Sequence, residues 1–600
     1  MQTEIRKKTL VNGIAAILLT IVLTTVCYQF GIQPSFQPLS LELKTFSSYD
    51  ELENFLRTNM ENARYFEELY LTPFIGSGEV DLINPPPKAS TDYSTTNIQV
   101  AGVDEADIIK TDGSYLYVVS SNTVYILKAY PPEQAEVLSK ITLNETDNIE
   151  IYVKEDKLAV LQNYYTFKVL ENSDTHPSSG DSFIKIYDIS DKSNPVLTKN
   201  ISLVGTLSSS RMLGNYIYAV VSQPAMKQSS NGTDFEVILP KIYTDSVVEE
   251  VNPTEISYVD ISDIFYYFTT VVAINIIDDT QATTYESFLT GSTSSIYVSL
   301  SNMYLTVPNT NAWFSFDVGV AREETLIYKV KLDEEKIVLD AEGNVAGYVL
   351  NQFSMDEFQG FFRVATTEWS GEGPKNNLFI LDMNLNIVGE LENIAQGERI
   401  YSARFISDRC YLVTFKQIDP FFVIDISNPT DPKILGELKI PGFSSYLHPY
   451  DENHVIGIGK QDNNVKLSLF NVTNVNTPIE AAEPYIVQGE WSDSTVLMDH
   501  KAFLFDKSKQ LLVLPLSIQE GDDYINGFWQ GAYIFNITLS NGFVLKGNVT
   551  HQENSTDQWD TEHWIVRTLY IDDVLYTISE RKIKMNSIEN LDLLQQIELS

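Results

Sequence analysis

Six hundred residues exceed what one small core can organise and suit one large repeat domain with appendages. Aromatics make up 12%, with 33 Tyr and 30 Phe, a composition that fits pleated surfaces better than helices. The formal net charge of -40, from 81 acidic and 41 basic side chains, argues against nucleic acid as a partner, because phosphate binding needs a basic footprint; it suits solubility, divalent cations or basic partners.

In chain order, the first predicted element is an apolar run. Residues 10–30 carry no charge and follow Arg6, Lys7 and Lys8. As a helix the run spans roughly 30 Å, about one hydrocarbon core. The basic flank stays inside, so residues 1–30 read as a cytoplasmic tip and signal anchor, with the rest extracytoplasmic at the cell membrane. A cleaved signal peptide and a lipoprotein are the alternatives, but no small-residue cleavage site is present and Val26 spoils a lipobox before Cys27. The other cysteine, Cys410, lies far away, so neither a disulfide nor a zinc spacing is expected. Sequons at Asn144, Asn200, Asn231, Asn471, Asn536, Asn548 and Asn554 agree with an exported, glycosylated body.

Residues 31–96 read as an extracytoplasmic stalk. Pro34 and Pro38 keep its start extended. Ser48 and Glu51 form a capping-box pattern, and Leu52, Phe55, Leu56, Met60, Ala63, Phe66 and Leu69 recur as one stripe, predicting an amphipathic helix over residues 48–70. That helix packs on the flank of the following domain or joins copies. A linker with Pro85, Pro86 and Pro87 ends the stalk.

From residue 97 to 600 the text is strand, turn, strand. Nine candidate strand pairs occur, beginning with residues 115–119 and 123–127; the eighth is read as 502–505 with 532–537. Residues 226–264 and 521–529 read as insertions. One phrase recurs: an apolar residue, Asp or Asn, Ile or Val, then Ser or Thr, with Pro seven residues after the Asp or Asn. It stands at Asp188, Asp425 and Asn471, with echoes at Asn536 and Asp382. The Asp or Asn closes an Asx-type turn and the Pro starts an outer strand. The expected fold is all-β: a β-propeller of about eight four-stranded blades, seven to nine, closed by a strand at 97–103 pairing into the last blade.

The segment from Thr96 through Val103, Asp104, Glu105, Ala106 and Asp107 to Gly113 resembles the opening motif of a family of archaeal and bacterial secreted proteins with a C-terminal β-propeller, distantly related to WD40 repeats. The Asp-Ile-Ser…Pro phrases are similar to LVIVD repeats of prokaryotic cell-surface proteins. The resemblance implies an extracytoplasmic propeller and transfers no functional residue.

Two constellations are candidate sites. Asp104, Glu105, Asp107 and Asp112 offer hard oxygen ligands for Ca²⁺, though without EF-hand spacing; the structural alternative is that Asp104 and Asp107 fix ring closure. Trp491, Trp529, Trp559 and Trp564 stand near Gly and acids in connections and form a candidate carbohydrate or peptide platform. No histidine pair with metal spacing, nucleophile elbow or phosphate loop appears, so no catalytic residue is assigned. The expected function is a membrane-anchored binding or scaffold module at the cell surface, meeting a surface protein, peptide or carbohydrate. The alternative is a metal-dependent extracellular hydrolase or oxidoreductase using tunnel carboxylates.

Overall fold

A computed structural model describes residues 43–64, 92–143, 147–169, 175–228, 235–245, 247–260, 266–309, 323–370, 373–415, 419–521, 527–552 and 559–599. The expected anchor at 10–30, residues 65–70 of the expected helix and residues 77–91 of the expected linker at 77–96 lie outside these residues, as do Asn144, Asn231 and Asn554. No helix among the described residues is long and apolar enough to cross a membrane.

Short alternating runs separated by tight turns dictate a meander of antiparallel strands. Ser121, Ser407 and Asp572 take left-handed φ near 50° at the first position of two-residue turns, a backbone that suits the right-handed twist of paired strands. Among the described residues, nine sheets of four or more strands follow one another in chain order. Sheet 1 holds Ile109–Thr111, Tyr115–Ser120, Thr123–Lys128 and Glu136–Thr142, and sheet 9 holds Arg567–Ile571, Val574–Ile578, Lys582–Ser587 and Leu593–Glu598.

One sheet cannot bury both faces, so each packs on the next. Tyr117 and Ile126 of sheet 1 share a core with Leu158 and Tyr187 of sheet 2. Tyr304 of sheet 4 stacks on Phe362 of sheet 5 at 4.1 Å. Leu569 and Tyr576 of sheet 9 pack with Leu116 and Leu127 of sheet 1, and the Tyr576 hydroxyl donates to the Ala129 carbonyl at 2.8 Å. The ring therefore closes, and the fold is an all-β propeller with a count of sheets inside the expected seven to nine.

The recurring phrase performs as its chemistry predicts. Asp188 accepts from the Ser190 amide at 3.0 Å, Asp425 from Ser427 at 2.9 Å and Asn471 from Thr473 at 2.9 Å. The Ser190 hydroxyl and amide hold the Asp188 carboxyl down to about 2. Outer strands then begin just after the prolines, at Val196, Lys433 and Ile479. The turns also grip the preceding sheet. A Cβ on Gly389, in the outer strand of sheet 5, would lie 2.0 Å from the Pro429 carbonyl oxygen of the sheet 6 turn. A Cβ on Gly436 would lie 2.4 Å from the Val475 oxygen in the sheet 7 turn. Only glycine permits these approaches.

Eight of the nine predicted strand pairs occupy the middle of their sheets. In sheet 8 the middle pair is Leu511–Gln519 with Phe528–Thr538, not residues 502–505 with 532–537. Pro515 argues against a middle strand by sequence. Here it faces a gap, because the first strand is split into Trp491–Asp493 and Leu504–Asp506, and the Ser494 hydroxyl takes the Pro515 carbonyl at 2.7 Å. The irregular insertion crosses to a neighbour: Lys241–Thr244 and Val247–Glu250 extend sheet 2, and Ile256–Val259 extends sheet 3.

The stalk helix α1 (Tyr49–Arg64) starts as its capping box predicts. The Glu51 amide donates to the Ser48 hydroxyl at 3.2 Å, and the Glu51 carboxylate accepts from the Ser47 amide at 2.7 Å. Leu52 and Leu56 are fully buried with Phe46, whose ring stacks on Tyr258 at 3.9 Å, so the helix packs on the flank of sheet 3.

Candidate functional site

Residues 92–108 run through the axis of the ring and touch most of its sheets. The Ser94 amide donates to the Tyr570 carbonyl of sheet 9 at 3.0 Å. Asn97 donates to the Tyr446 hydroxyl of sheet 7 at 3.2 Å and to the His500 carbonyl of sheet 8 at 3.1 Å. Gln99 donates to the Gln352 carbonyl, between the short strands Tyr348–Val349 and Met355–Phe358 of sheet 5, at 3.1 Å. Val103 and Asp104 pair with Leu213 and Met212 of sheet 3, and Asp107 exchanges backbone bonds with Ile151 of sheet 2. Residues 97–103 thus do not enter the last sheet, whose strands all come from the C-terminal segment. Backbone groups on the inner edges of several first strands need partners, and one irregular segment supplies them.

This plug brings buried charges with it. Glu105 faces Arg211 at 3.4 Å and His500 at 3.7 Å. Asp107 faces Arg567 at 3.0 Å, and Arg567 also binds Asp499. Glu105 and Asp107 are each 2% exposed, Arg211 and Arg567 each 4%, and His500 is fully buried. Lys110 joins Asp104 at 2.8 Å, and Lys501 joins Glu150 at 2.8 Å. Burial opposes the Asp499 charge, but Arg567, Lys501 and His500 hold that carboxyl well below the usual carboxylate range. Desolvated charges persist only when paired and hydrogen-bonded, and Arg567 with Asp107 and Asp499, like Lys110 with Asp104, meets both conditions.

The four expected cation ligands are therefore not gathered into one centre. Asp104 serves Lys110, Glu105 serves Arg211 and Asp107 serves Arg567. Asp112 closes its own turn, accepting from the Tyr115 amide at 2.8 Å and the Tyr117 hydroxyl at 2.9 Å. Among the described residues no three His, Cys, Asp or Glu side chains converge as metal ligands would. The counter-charges escaped sequence reasoning because Arg567 is 460 residues from Asp107.

Trp491, Trp529 and Trp564 share a neighbourhood, at the end of sheets 8 and 9 where first strands begin and second strands finish, and Trp559 lies in the connection that leads to Trp564. Trp491 and Phe528 both pair with Gln519, and Trp529 pairs with Ile518. Trp564 stacks on Phe528 at 5.6 Å. Trp491 is 37% exposed and Trp559 80%. Trp529 lies in a strand, not a connection, and its ring rests over Gly531, where a Cβ would come within 2.7 Å of it. Gly531 marks a close approach where the sequence reads as a loop. The same end of the ring carries rings that sequence reasoning missed: Trp369 in sheet 5, and Tyr401 and Phe415 in sheet 6, which pack on Phe443 of sheet 7 at 4.8 and 5.1 Å.

Of the sequons within the described residues, Asn548 is exposed. Asn471 spends its side-chain oxygen on the Thr473 turn, and Asn200 sits half-buried beside the Lys241–Thr244 strand.

A family model described as the beta propeller domain matches residues 93–591. This chain belongs to that family. The matched span begins at Tyr93, so it includes the axial plug with the propeller sheets. An uncharacterised protein of Methanocaldococcus jannaschii is 28% identical over 92% of this chain and 91% of its own length. An uncharacterised protein of Archaeoglobus fulgidus is 29% identical over 94% of this chain and 96% of its own. Among solved structures, the periplasmic gluconolactonase PpgL of Pseudomonas aeruginosa is similar at 8% identity and a TM-score of 0.33, covering 55% of this propeller chain and 92% of its own, a likeness too loose to carry an argument.

Proposed function

We propose that this propeller is a membrane-anchored, extracytoplasmic binding or scaffold module whose ligand docks at the aromatic end of the ring. One observation carries the reading: the axial carboxylates Asp104, Glu105 and Asp107 are engaged by Lys110, Arg211 and Arg567, while exposed indoles collect at one end. Clefts with convergent polar groups are the usual sites of small-molecule chemistry, and here Asp104, Glu105 and Asp107 are engaged by Lys110, Arg211 and Arg567. For the alternative hydrolase or oxidoreductase, substrate would have to reach Glu105, which is 2% exposed, and His500, which is fully buried. The anchor and outward orientation rest on the apolar run at 10–30 with its basic flank.

The test is oxidative footprinting of the full chain with a membrane-impermeant radical source, in intact cells and after purification. The reading predicts that Trp491 and Trp559 are protected severalfold in cells, while Ile434 and Ile479 at the opposite end react equally in both. Equal oxidation of the tryptophans in both samples contradicts binding at this end. Failure of the reagent to reach any residue in cells contradicts the outward orientation.

A further inference from the structure

The chemistry of the aromatic end narrows what it holds, an inference that rests on the binding reading above. Rings are linked from sheet 6 to sheet 7 and from sheet 8 to sheet 9. The Trp369 amide donates to Glu323 at 2.9 Å. Arg399 lies 4.7 Å over the Tyr401 ring, and Tyr401 packs on Phe443. Lys460 of sheet 7 lies 5.5 Å over the Trp491 ring of sheet 8 and 3.3 Å from Asp493. Phe528 of sheet 8 stacks on Trp564 at the entry to sheet 9, and Asp560 meets His563 nearby at 2.7 Å. The result is an arc of rings from sheet 5 to sheet 9, exposed at Trp369 and Trp491 and buried at Phe528, with Glu323, Arg399 and Lys460 beside Trp369, Tyr401 and Trp491.

The two ends of the ring differ in kind. Trp369, Trp491 and Trp559 are exposed at this end. Ile434, Ile479, Val544 and Leu593 are exposed where outer strands begin, which is the other end. A protein partner buries a contiguous apolar core on association, whereas here Glu323, Arg399, Lys460 and Asp493 stand between the rings. Flat, preordered rings separated by carboxylates and cations fit another polymer: one whose sugar rings offer C–H faces to stack and hydroxyls that both donate and accept. The net charge of -40 repels an anionic chain. We propose that the arc binds a neutral polysaccharide laid across sheets 5 to 9. Its C–H faces lie on Trp369, Tyr401 and Trp491. Its hydroxyls donate to Glu323 and Asp493 and accept from Arg399 and Lys460.

The experiment titrates the detergent-solubilised full chain, followed by tryptophan fluorescence, with neutral hexasaccharides of glucose, mannose and N-acetylglucosamine. A galacturonate hexamer and a polar hexapeptide serve as rivals. The expected result is saturable binding of at least one neutral hexamer. It should weaken about tenfold in Trp491→Ala and in Trp369→Ala, remain unchanged in Ile479→Ala, and leave all melting temperatures equal. Absence of binding by every neutral hexamer, or equally tight binding of the uronate or the peptide, overturns the polysaccharide assignment. It leaves the footprint, and with it the binding reading, untouched. Binding that survives both tryptophan substitutions overturns the arc as the site.

Discussion

The axis and the aromatic end are built from opposite uses of the same side-chain types. In the axis, carboxylates and guanidinium groups are buried together, so each charge exists to satisfy another and to hold residues 92–108 against several sheets. At the aromatic end, large rings stay half in water and the neighbouring charges remain accessible. The difference shows that Val103 to Asp107, within the motif from Thr96 to Gly113, serves the ring itself. It ties a closure that is made by packing rather than by strand exchange, since sheets 1 and 9 are each continuous in sequence.

The comparison can be broken most forcefully in the axis. Arg567→Met strands Asp107 and Asp499 in the interior. It should cost about 3–5 kcal/mol, read as a large fall in the denaturation midpoint. A change below about 1 kcal/mol would mean that the plug does not hold the ring. Next comes the grip between sheets. Gly389→Ala drives a Cβ against the Pro429 backbone and should cost about 1–3 kcal/mol by the same assay.

Acid gives a third handle. Burial, then Lys584 and Lys582, pushes the His551 imidazole down to about 3, while the Ser579 and Thr577 hydroxyls bond its two nitrogens at 2.8 and 2.9 Å. Burial, then Arg404, also holds His448 well below its ordinary value. Both groups have folded values below the unfolded one, so the unfolded chain takes up protons that the fold refuses. Stability should therefore fall as pH drops from about 6.5, continuing toward about 3 for His551. Thermal melts of His551→Gln between pH 7 and 5 should show a shallower decline than the parent; identical slopes would contradict this account.

Smaller effects sharpen the comparison. Asp425→Ala removes one Asx turn and should cost about 1 kcal/mol. Trp491→Ala and Trp559→Ala should move stability by no more than about 0.5 kcal/mol, because rings exposed to water contribute little to the core. A larger loss from either would make the aromatic end structural as well.

What was legible in the sequence follows the range of the forces. The turns at Asp188, Asp425 and Asn471 use bonds two residues long, so local text predicts them. The helix start at Ser48 is equally local. The pairing of Glu105 with Arg211, and of Asp107 with Arg567, depends on where the ring brings distant strands, and no local pattern encodes it. The first strand of sheet 8 is broken, and the gap that admits Pro515 to a middle strand is set by tertiary structure, which local text does not encode. Trp491, Trp529, Trp559 and Trp564 were legible as a group, yet their division into exposed and packed rings needed the sheet register.

The most direct test of the central contrast is thermal unfolding of the full chain after chelation, with and without millimolar Ca²⁺, alongside Asp104→Asn and Asp107→Asn. If the axial carboxylates serve the ring, both variants melt lower than the parent and Ca²⁺ moves none of the midpoints. A Ca²⁺-dependent rise in the parent that disappears in the variants would contradict that account and make the axis a cation site, because a ligand bound only to the folded state must raise its stability.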